Sequence, residues 1–207
     1  MKLKKSCILY IVRHGETEWN QKNLVQGHTD IPLAEEGHKQ ALARAEFFRE
    51  VAFGYVASSD LQRAKQTAAI LSEGRNLPLH TSEKLREQSW GAWEGHSFDK
   101  LREKFGARFN AYSGDKPHAI SGVESHREIA ARVNPYLLEI AGENPDQNIL
   151  VVSHGGVLKG LIFHFGIENL FNLAFENLGF IKIEYDGKDL KFLEAQGMKE
   201  HVLSAKI

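Results

Sequence analysis

Three runs of apolar and β-branched residues stand out along the chain, and each has the length of a strand. They are Cys7–Val12, Tyr55–Ser58 and Ile149–Ser153. The first and last are continuously apolar, without alternating polar positions. This pattern is typical of strands that are buried on both faces of a parallel sheet. We therefore predict that these runs lie inside one sheet.

Helical periodicity fills the stretches between these runs. Apolar residues recur there every three or four positions, which is the spacing of one buried helix face. The predicted faces are Ala41, Leu42, Ala45 and Phe48; then Ala64, Ala68 and Leu71; then Ile129, Val133, Leu137 and Ile140. Because strands that alternate with helices need crossover connections, the sequence predicts an α/β fold with a largely parallel sheet.

The end of the chain has a different pattern. Gly179–Tyr185 and Leu190–Glu194 flank Asp186–Gly187, a pair that favours a hairpin turn, so we expect an antiparallel strand at the edge of the sheet. The least regular stretch is 95–124, and Ser125 and Glu128 after it have the spacing of a capping box. We predict a single domain over residues 1–207 with an irregular insertion, or lid, at about 95–124.

Composition and charge narrow the classes of protein. Of the 207 residues, 42% are hydrophobic and 26% are charged, which indicates a globular core and excludes a disordered chain. Twenty-six Lys and Arg against 27 Asp and Glu give a net charge of −1, so we expect no nucleic-acid or membrane partner. One cysteine cannot form an internal disulfide, and we expect a cytoplasmic protein. The sequence does not determine the oligomeric state, and a homodimer is one of the alternatives.

Basic side chains follow the predicted strands. Arg13 and His14 come directly after the first, His154 directly after the last, and Arg63 shortly after the middle one. The carboxyl ends of parallel strands share one rim, where ligands bind, so we expect these side chains to meet. Guanidinium groups bind phosphate oxygens in a planar fork, and a neutral imidazole can attack phosphorus. The pattern favours phosphoryl chemistry.

Two predicted helix starts lie beside these residues. Ser59 and Gln62 have the spacing of a capping box, which places Arg63 in or just after the first helical turn. A cation there is disfavoured by the helix dipole by roughly 0.3–1 kcal/mol, and a bound anion reverses that penalty. Gly155 and Gly156 leave a second helix start open to close approach by an anion.

The segment Arg-His-Gly-Glu-Thr-Glu-Trp-Asn at 13–20 resembles the signature of the histidine phosphatase (phosphoglycerate mutase-like) superfamily. Further matching motifs follow in the family's order along the chain. They are Gln26–Gly27, Pro32–Leu33, Ser58–Thr67, Leu85–Glu87, Gly91–Gly95, Gly122–Ser125 and Val152–Gly156. Ala34 departs from the family, which usually carries Thr or Ser there, and it removes an expected side-chain helix cap.

The resemblance implies a three-layer α/β/α sandwich, no metal and no cofactor. It makes His14 the nucleophile that becomes a phosphohistidine. It gives phosphate binding to Arg13, Asn20, Gln26, Gly27, Arg63 and His154. The residues alone do not choose between Glu87, Glu94 and Asp60 as the group that protonates the leaving oxygen. The resemblance selects Glu87.

The function predicted on this basis is hydrolysis of a small phosphorylated metabolite. The alternative is a phosphoglycerate mutase. The stretch between Glu87 and His154 is shorter than in cofactor-dependent mutases, which insert substrate-clamping residues there, and this favours hydrolysis. A non-catalytic protein that binds phosphorylated ligands is a further alternative. The substrate itself is not readable from the sequence.

Two other hydrolase classes fit the residues less well. Cys7 and Arg13 have the spacing of a cysteine-phosphatase loop, but the residues between them are apolar and favour a strand, not a phosphate-binding curl. The ten histidines include no His-Glu-x-x-His pair, and there is no paired cysteine, so we expect no metallohydrolase.

Overall fold

The computed structural model describes residues 6–105 and 122–200. Its strands are β1 (Cys7–Arg13), β2 (Phe53–Ser59), β3 (Leu79–Ser82), β4 (Asn148–Ser153), β5 (Leu173–Tyr185) and β6 (Leu190–Glu200). Its helices are α1 (Glu18–Gln21), α2 (Glu35–Phe47), α3 (Gln62–Leu71), α4 (Phe98–Phe105), α5 (His126–Glu143) and α6 (Gly155–His164). Three-residue 3₁₀ helices cover Glu83–Leu85, Gly91–Trp93 and Glu168–Leu170.

The strands form one sheet in the order β3-β2-β4-β1-β5-β6. The pairs β1–β4, β4–β2 and β2–β3 are parallel, whereas β5 runs antiparallel to both β1 and β6. The α/β class and the terminal hairpin around Asp186–Gly187 are therefore confirmed. The hairpin strands extend beyond the predicted runs, and β6 forms the edge.

Both faces of the central strands are covered, which explains their continuous apolar sequence. Leu9 and Ile11 of β1 pack into a core with helices α5 and α6. Tyr10 and Val12 lie on the opposite face of β1 and pack in a second core with helices α2 and α3. Alternate side chains of one strand thus enter two different cores, and the fold is a three-layer α/β/α sandwich.

The helix faces agree with the predicted periodicity except at one position. The apolar positions predicted for α3 and α5 are all buried. Ala41 of α2 and Phe48, directly after its end, are fully buried, but Leu42 is 54% exposed, so its assignment to the buried face was wrong. Consecutive helical residues lie about 100° apart, so the residue after a deeply buried Ala41 turns away from the sheet.

The stretch predicted to be irregular begins with a helix. Helix α4 covers Phe98–Phe105, and Leu101 packs in a small apolar cluster with Val25, Trp93 and Val123. The predicted insertion therefore contains a helix over 98–105 that was not identified from the sequence. Ser97 Oγ accepts a hydrogen bond from the backbone N–H of Asp99 at 3.3 Å, in the first turn of this helix. The predicted lid over 106–121 lies outside the described residues.

Cys7 lies at the opposite end of β1 from Arg13. Its side chain is 3% exposed, and its Sγ–H is directed at the carbonyl oxygen of Ala141 at 3.8 Å. Burial raises the pKa of this thiol to about 11. The strand between the two residues excludes the cysteine-phosphatase loop.

Within 6–105 and 122–200, every helix is too short or too polar to span a membrane.

The missing cap of α2 generates a stability prediction. Ala34 occupies the N-cap in an extended conformation and gives no side-chain hydrogen bond. We expect Ala34→Ser to raise the free energy of unfolding by about 1 kcal/mol, since the hydroxyl can accept from a free N–H of the first turn. Urea unfolding measures this difference. Ala43→Ser, an exposed change within the same helix, is the control and should be neutral or slightly destabilising. Equal effects of the two changes would contradict the capping argument.

Candidate active site

Two histidines meet at the rim where the parallel strands end. His14 directly follows β1 and His154 directly follows β4, and these strands are neighbours in register, with Arg13 opposite Ser153. The two imidazole rings lie with their centroids 5.1 Å apart. Both side chains are buried, at 2% and 0% exposed. The topology therefore brings together two side chains that are far apart in the sequence.

The contacts of His14 fix its orientation and its tautomer. Nδ1 lies 2.7 Å from the carbonyl oxygen of Gly15. A carbonyl oxygen only accepts, so Nδ1 carries the proton and Nε2 keeps its lone pair. The backbone N–H of His14 donates to the carbonyl oxygen of Ser153 at 2.9 Å. Asn177 Nδ2 donates to the carbonyl oxygen of His14 at 3.0 Å.

Both imidazoles are neutral for the same physical reasons. Burial lowers the pKa of His14 well below 6.5, and the guanidinium charges of Arg63 and Arg13 lower it further. Burial also lowers the pKa of His154 well below 6.5, again with help from Arg63. Neither ring nitrogen of His154 has a hydrogen-bond partner among the described residues. The pair thus offers unprotonated nitrogens in a positive field.

Arg63 supplies the most deeply buried charge of the site. Its side chain is 0% exposed, and burial lowers its pKa to about 10. NH1 donates to the carbonyl oxygen of Thr29 at 2.9 Å, and NH2 donates to that of Gly27 at 2.8 Å. Nε has no partner within the described part of the chain. Gly27, predicted to bind phosphate, is placed here as a residue that holds Arg63.

The start of α3 differs from its prediction. Leu61 is the N-cap, and the predicted capping box of Ser59 and Gln62 does not form. Ser59 is the last residue of β2, and its Oγ accepts from the N–H of Leu61 at 3.3 Å. Asp30 supplies the cap instead, because its Oδ1 accepts from the N–H of Gln62 at 2.7 Å. Arg63 still lies in the first helical turn, as predicted.

Arg13 lies against the first residues of α6. Its NH1 donates to the carbonyl oxygen of Phe175 at 2.5 Å, and a Cβ at Gly155 would lie 3.4 Å from its Nε. That Nε has no partner among the residues that the structure describes. Burial lowers the pKa of the guanidinium, while the charge of Glu87 opposes the change.

The carboxylate of Glu87 lies at the start of α6. Its Oε1 accepts from the N–H groups of Gly156 and Gln88, both at 2.8 Å. A Cβ at Gly156 would lie 2.3 Å from Oε1, so only glycine allows this approach. The group that approaches this helix start in the structure is therefore the carboxyl group of Glu87 itself. The Glu87 carbonyl accepts from His28 Nε2 at 2.8 Å and Arg132 NH2 at 3.0 Å.

The structure separates the three carboxylates between which the residues alone did not choose. Asp60 is paired with Arg86, whose Nε lies 2.9 Å from Oδ1. Glu94 accepts hydrogen bonds from a backbone turn. Only Glu87 belongs, with the two imidazoles, to a group of donor atoms that lie within 4.8 Å of one another. Of the three, Glu87 is the carboxylate placed to exchange a proton with a group bound at the imidazoles.

Two imidazoles and one carboxylate are also a donor set that could hold a metal ion. The charges around this set oppose such an ion. Besides burial, which has the largest effect, Arg63 and Arg13 lower the pKa of His14 because they disfavour a further positive charge beside them. The same field disfavours a divalent cation and favours an anion. The arrangement therefore fits a phosphate group better than a metal.

The two remaining predicted phosphate ligands, Asn20 and Gln26, lie shortly after His14 in the sequence. Asn20 Oδ1 accepts from the N–H and Oγ1 of Thr17, at 3.1 and 3.0 Å, in the capping box of α1. These bonds leave the Nδ2 group of Asn20 as its donor. Gln26 is 8% exposed, and its Oε1 has no partner among the described residues. Phosphate binding by both residues stays a prediction.

Several contacts that position the site were not predicted. Thr67 Oγ1 accepts from the N–H of Gly15 at 3.0 Å and donates to the Arg63 carbonyl at 2.7 Å, so it ties the first loop to α3. Thr67 lies one helical turn after Arg63, a spacing that could have indicated it. Asn177 and Arg132 carried no comparable signal, because each reaches the site from an element distant in sequence.

The sequence profile of the histidine phosphatase superfamily (branch 1) matches residues 9–196, and the chain belongs to this family. It is 36% identical over 155 residues to the adenosylcobalamin/alpha-ribazole phosphatase of Salmonella typhimurium, covering 74% of this chain and 77% of that protein. It is 35% identical over 155 residues to a Salmonella choleraesuis protein named probable phosphoglycerate mutase GpmB, covering 74% and 72%. A solved mycobacterial glucosyl-3-phosphoglycerate phosphatase, complexed with VO3, superposes with a TM-score of 0.82 at 28% identity, covering 92% and 98%.

The neutral imidazoles make folding stability depend on pH. Their pKa values are lowered in the folded protein, so below pH 6.5 the unfolded chain binds protons that the folded chain excludes. We expect the free energy of unfolding to fall below pH 6.5, by up to about 1.4 kcal/mol per pH unit for each imidazole. Urea unfolding in phosphate-free buffer measures the slope. His154→Gln should reduce it and the exposed His38→Gln should not; equal slopes would contradict the assignment.

Proposed function

We propose that the chain hydrolyses phosphomonoesters of a small metabolite through a phosphohistidine at His14. The observation that supports this most directly is the unprotonated Nε2 of a buried imidazole, held beside two guanidinium groups and a second neutral imidazole. An imidazole nitrogen with a free lone pair can attack phosphorus. The charge on the three equatorial oxygens needs positive donors that are already in place.

In the first step, the lone pair of His14 Nε2 forms the N–P bond while the ester P–O bond breaks. The electron pair of that bond stays on the leaving oxygen, which takes a proton from the carboxyl group of Glu87 and departs as an alcohol. Arg13, Arg63 and His154 bind the phosphoryl oxygens during the transfer. The geometry supports this division of roles because Glu87 and both imidazoles share one site.

In the second step, a water molecule gives a proton to the Glu87 carboxylate and attacks phosphorus. The new P–O bond forms as the N–P bond breaks, which restores the neutral imidazole and releases inorganic phosphate. The Glu87 side chain is only partly buried, which allows water to reach it. One carboxyl group thus serves as acid and then as base.

Phosphoglycerate mutase activity is the alternative, and sequence identity does not decide between the two. The chain has almost the same sequence identity to a relative named as a phosphatase and to one named as a probable mutase. The measurement that decides is kcat/KM over a panel of phosphorylated metabolites. Release of inorganic phosphate from several esters supports hydrolysis. Interconversion of 3- and 2-phosphoglycerate that requires bisphosphoglycerate would replace it, and binding without turnover would indicate a non-catalytic protein.

Replacement of the nucleophile tests the covalent step. We expect His14→Ala to lower kcat by at least about 10³-fold, since no other side chain of the site has an oriented lone pair in its place. Quenching a wild-type reaction in base should trap a phosphoenzyme that is labile to acid. His38→Ala, on the exposed face of α2, is the control. Phosphate recovered on serine would contradict a phosphohistidine.

Replacement of the acid tests the role of Glu87. We expect Glu87→Gln to slow the hydrolysis of alkyl phosphates by about 10²- to 10⁴-fold and that of aryl phosphates much less, because aryl oxides leave without a proton. The measurement is kcat for a matched pair, such as an alkyl phosphate and 4-nitrophenyl phosphate. Equal losses on the two substrates would show that Glu87 is not the proton donor.

A further inference from the structure

The side chain of Glu94, in the Gly91–Gly95 motif, binds a backbone turn and not the reacting groups. Its Oε1 accepts from the N–H of His28 at 3.0 Å and from that of Trp90 at 3.3 Å. Its Oε2 accepts from the N–H of Thr29 at 2.8 Å and from the Thr29 hydroxyl at 2.6 Å. One carboxylate thus fixes the turn formed by Gly27, His28 and Thr29, referred to below as the 27–29 turn.

The other side of the 27–29 turn holds Arg63. The carbonyl oxygens of Gly27 and Thr29 accept the two terminal nitrogens of its guanidinium. The peptide group between Gly27 and His28 therefore lies between a carboxylate and a buried guanidinium, with its N–H directed at the anion and its carbonyl oxygen at the cation. Thr29 contacts both groups through two successive peptide groups, its N–H on the carboxylate and its carbonyl oxygen on the guanidinium. Hydrogen bonds in such a chain polarise one another, so the carboxylate strengthens the Gly27 carbonyl oxygen as an acceptor.

The packing at Gly27 shows how closely the carboxylate fits the turn. Gly27 has a φ of +54°, in the left-handed region, and a Cβ there would lie 2.0 Å from Glu94 Oε1. The turn also reaches the proposed acid, because His28 Nε2 lies 2.8 Å from the carbonyl oxygen of Glu87. A displacement of the turn would therefore be felt at Arg63 and at the Glu87 loop together.

We propose that Glu94 is a positioning residue, which holds the guanidinium of Arg63 in the orientation that binds phosphate by fixing the 27–29 turn. This inference rests on the proposed function, in which Arg63 binds the phosphoryl oxygens. Glu94 does not touch the substrate or exchange protons with it. Its replacement should therefore weaken phosphate binding through Arg63.

The test compares Glu94→Gln with a matched carboxylate elsewhere. An amide has one acceptor oxygen, and its NH₂ group faces backbone N–H groups that it cannot bind. Loss of charged hydrogen bonds of this kind corresponds to about a tenfold or greater weakening, so we expect E94Q to raise the Ki of inorganic phosphate and the KM by that factor. Asp186→Asn is the control, because Asp186 Oδ1 also accepts from two turn N–H groups, of Lys188 and Asp189, in the β5–β6 hairpin.

A double-mutant cycle separates positioning from general stability. If Glu94 acts through Arg63, E94Q should change phosphate affinity less than about twofold in an Arg63→Ala background, since coupled residues are not additive. The same tenfold weakening in both backgrounds, or an E94Q that behaves like D186N, would overturn the inference.

A second variant carries the test if E94Q does not fold. Thr29→Val removes only the hydroxyl bond to Glu94, and we expect it to raise the Ki of inorganic phosphate about fivefold. A Ki equal to that of the wild type would overturn the inference. Phosphate binding is followed by calorimetry without turnover. A wild type that binds phosphate but hydrolyses no ester would thus contradict the proposed hydrolase and not the role of Glu94.

Discussion

The site depends on a guanidinium that is buried without a carboxylate in hydrogen-bond contact. Among the described residues, the groups that bind the Arg63 guanidinium are two backbone carbonyl oxygens. A direct ion pair with a carboxylate would neutralise the charge of Arg63. The two carbonyl oxygens instead bind the guanidinium without cancelling its positive field. That field, added to burial, keeps His14 and His154 neutral. One choice of partner thus gives the site a field that favours an anion and keeps a lone pair on His14 Nε2.

The rim on which these groups meet follows from a sequence pattern that is simple to interpret. Continuously apolar runs predict strands buried on both faces, and parallel strands must end at one edge. The sequence therefore predicts that Arg13, His14 and His154 lie at one edge, and the register of β1 and β4 confirms it. The three-layer architecture and the choice of Glu87 came instead from the resemblance to a family, because neither charge nor spacing distinguishes one glutamate from another.

What could not be predicted depends on contacts between elements distant in sequence. The first turn of α3 is capped by Asp30 from another loop, where local spacing had indicated Ser59. Arg132 reaches the Glu87 carbonyl from α5, and Asn177 reaches the His14 carbonyl from β5. Each is an ordinary polar residue in its own segment. Its role exists only after the sheet has formed, so no local pattern reports it.

The antiparallel direction of β5 determines when the site can be completed. Because β5 runs against β1, its first residues lie at the rim, where Phe175 binds Arg13 and Asn177 binds the His14 loop. Arg13 and His14 precede these partners by 162 and 163 residues in the chain. A nascent chain that still lacks β5 has the imidazoles and the guanidinium groups but not the strand that orders them. During synthesis, the rim is therefore ordered only after the chain through Asn177 has left the ribosome.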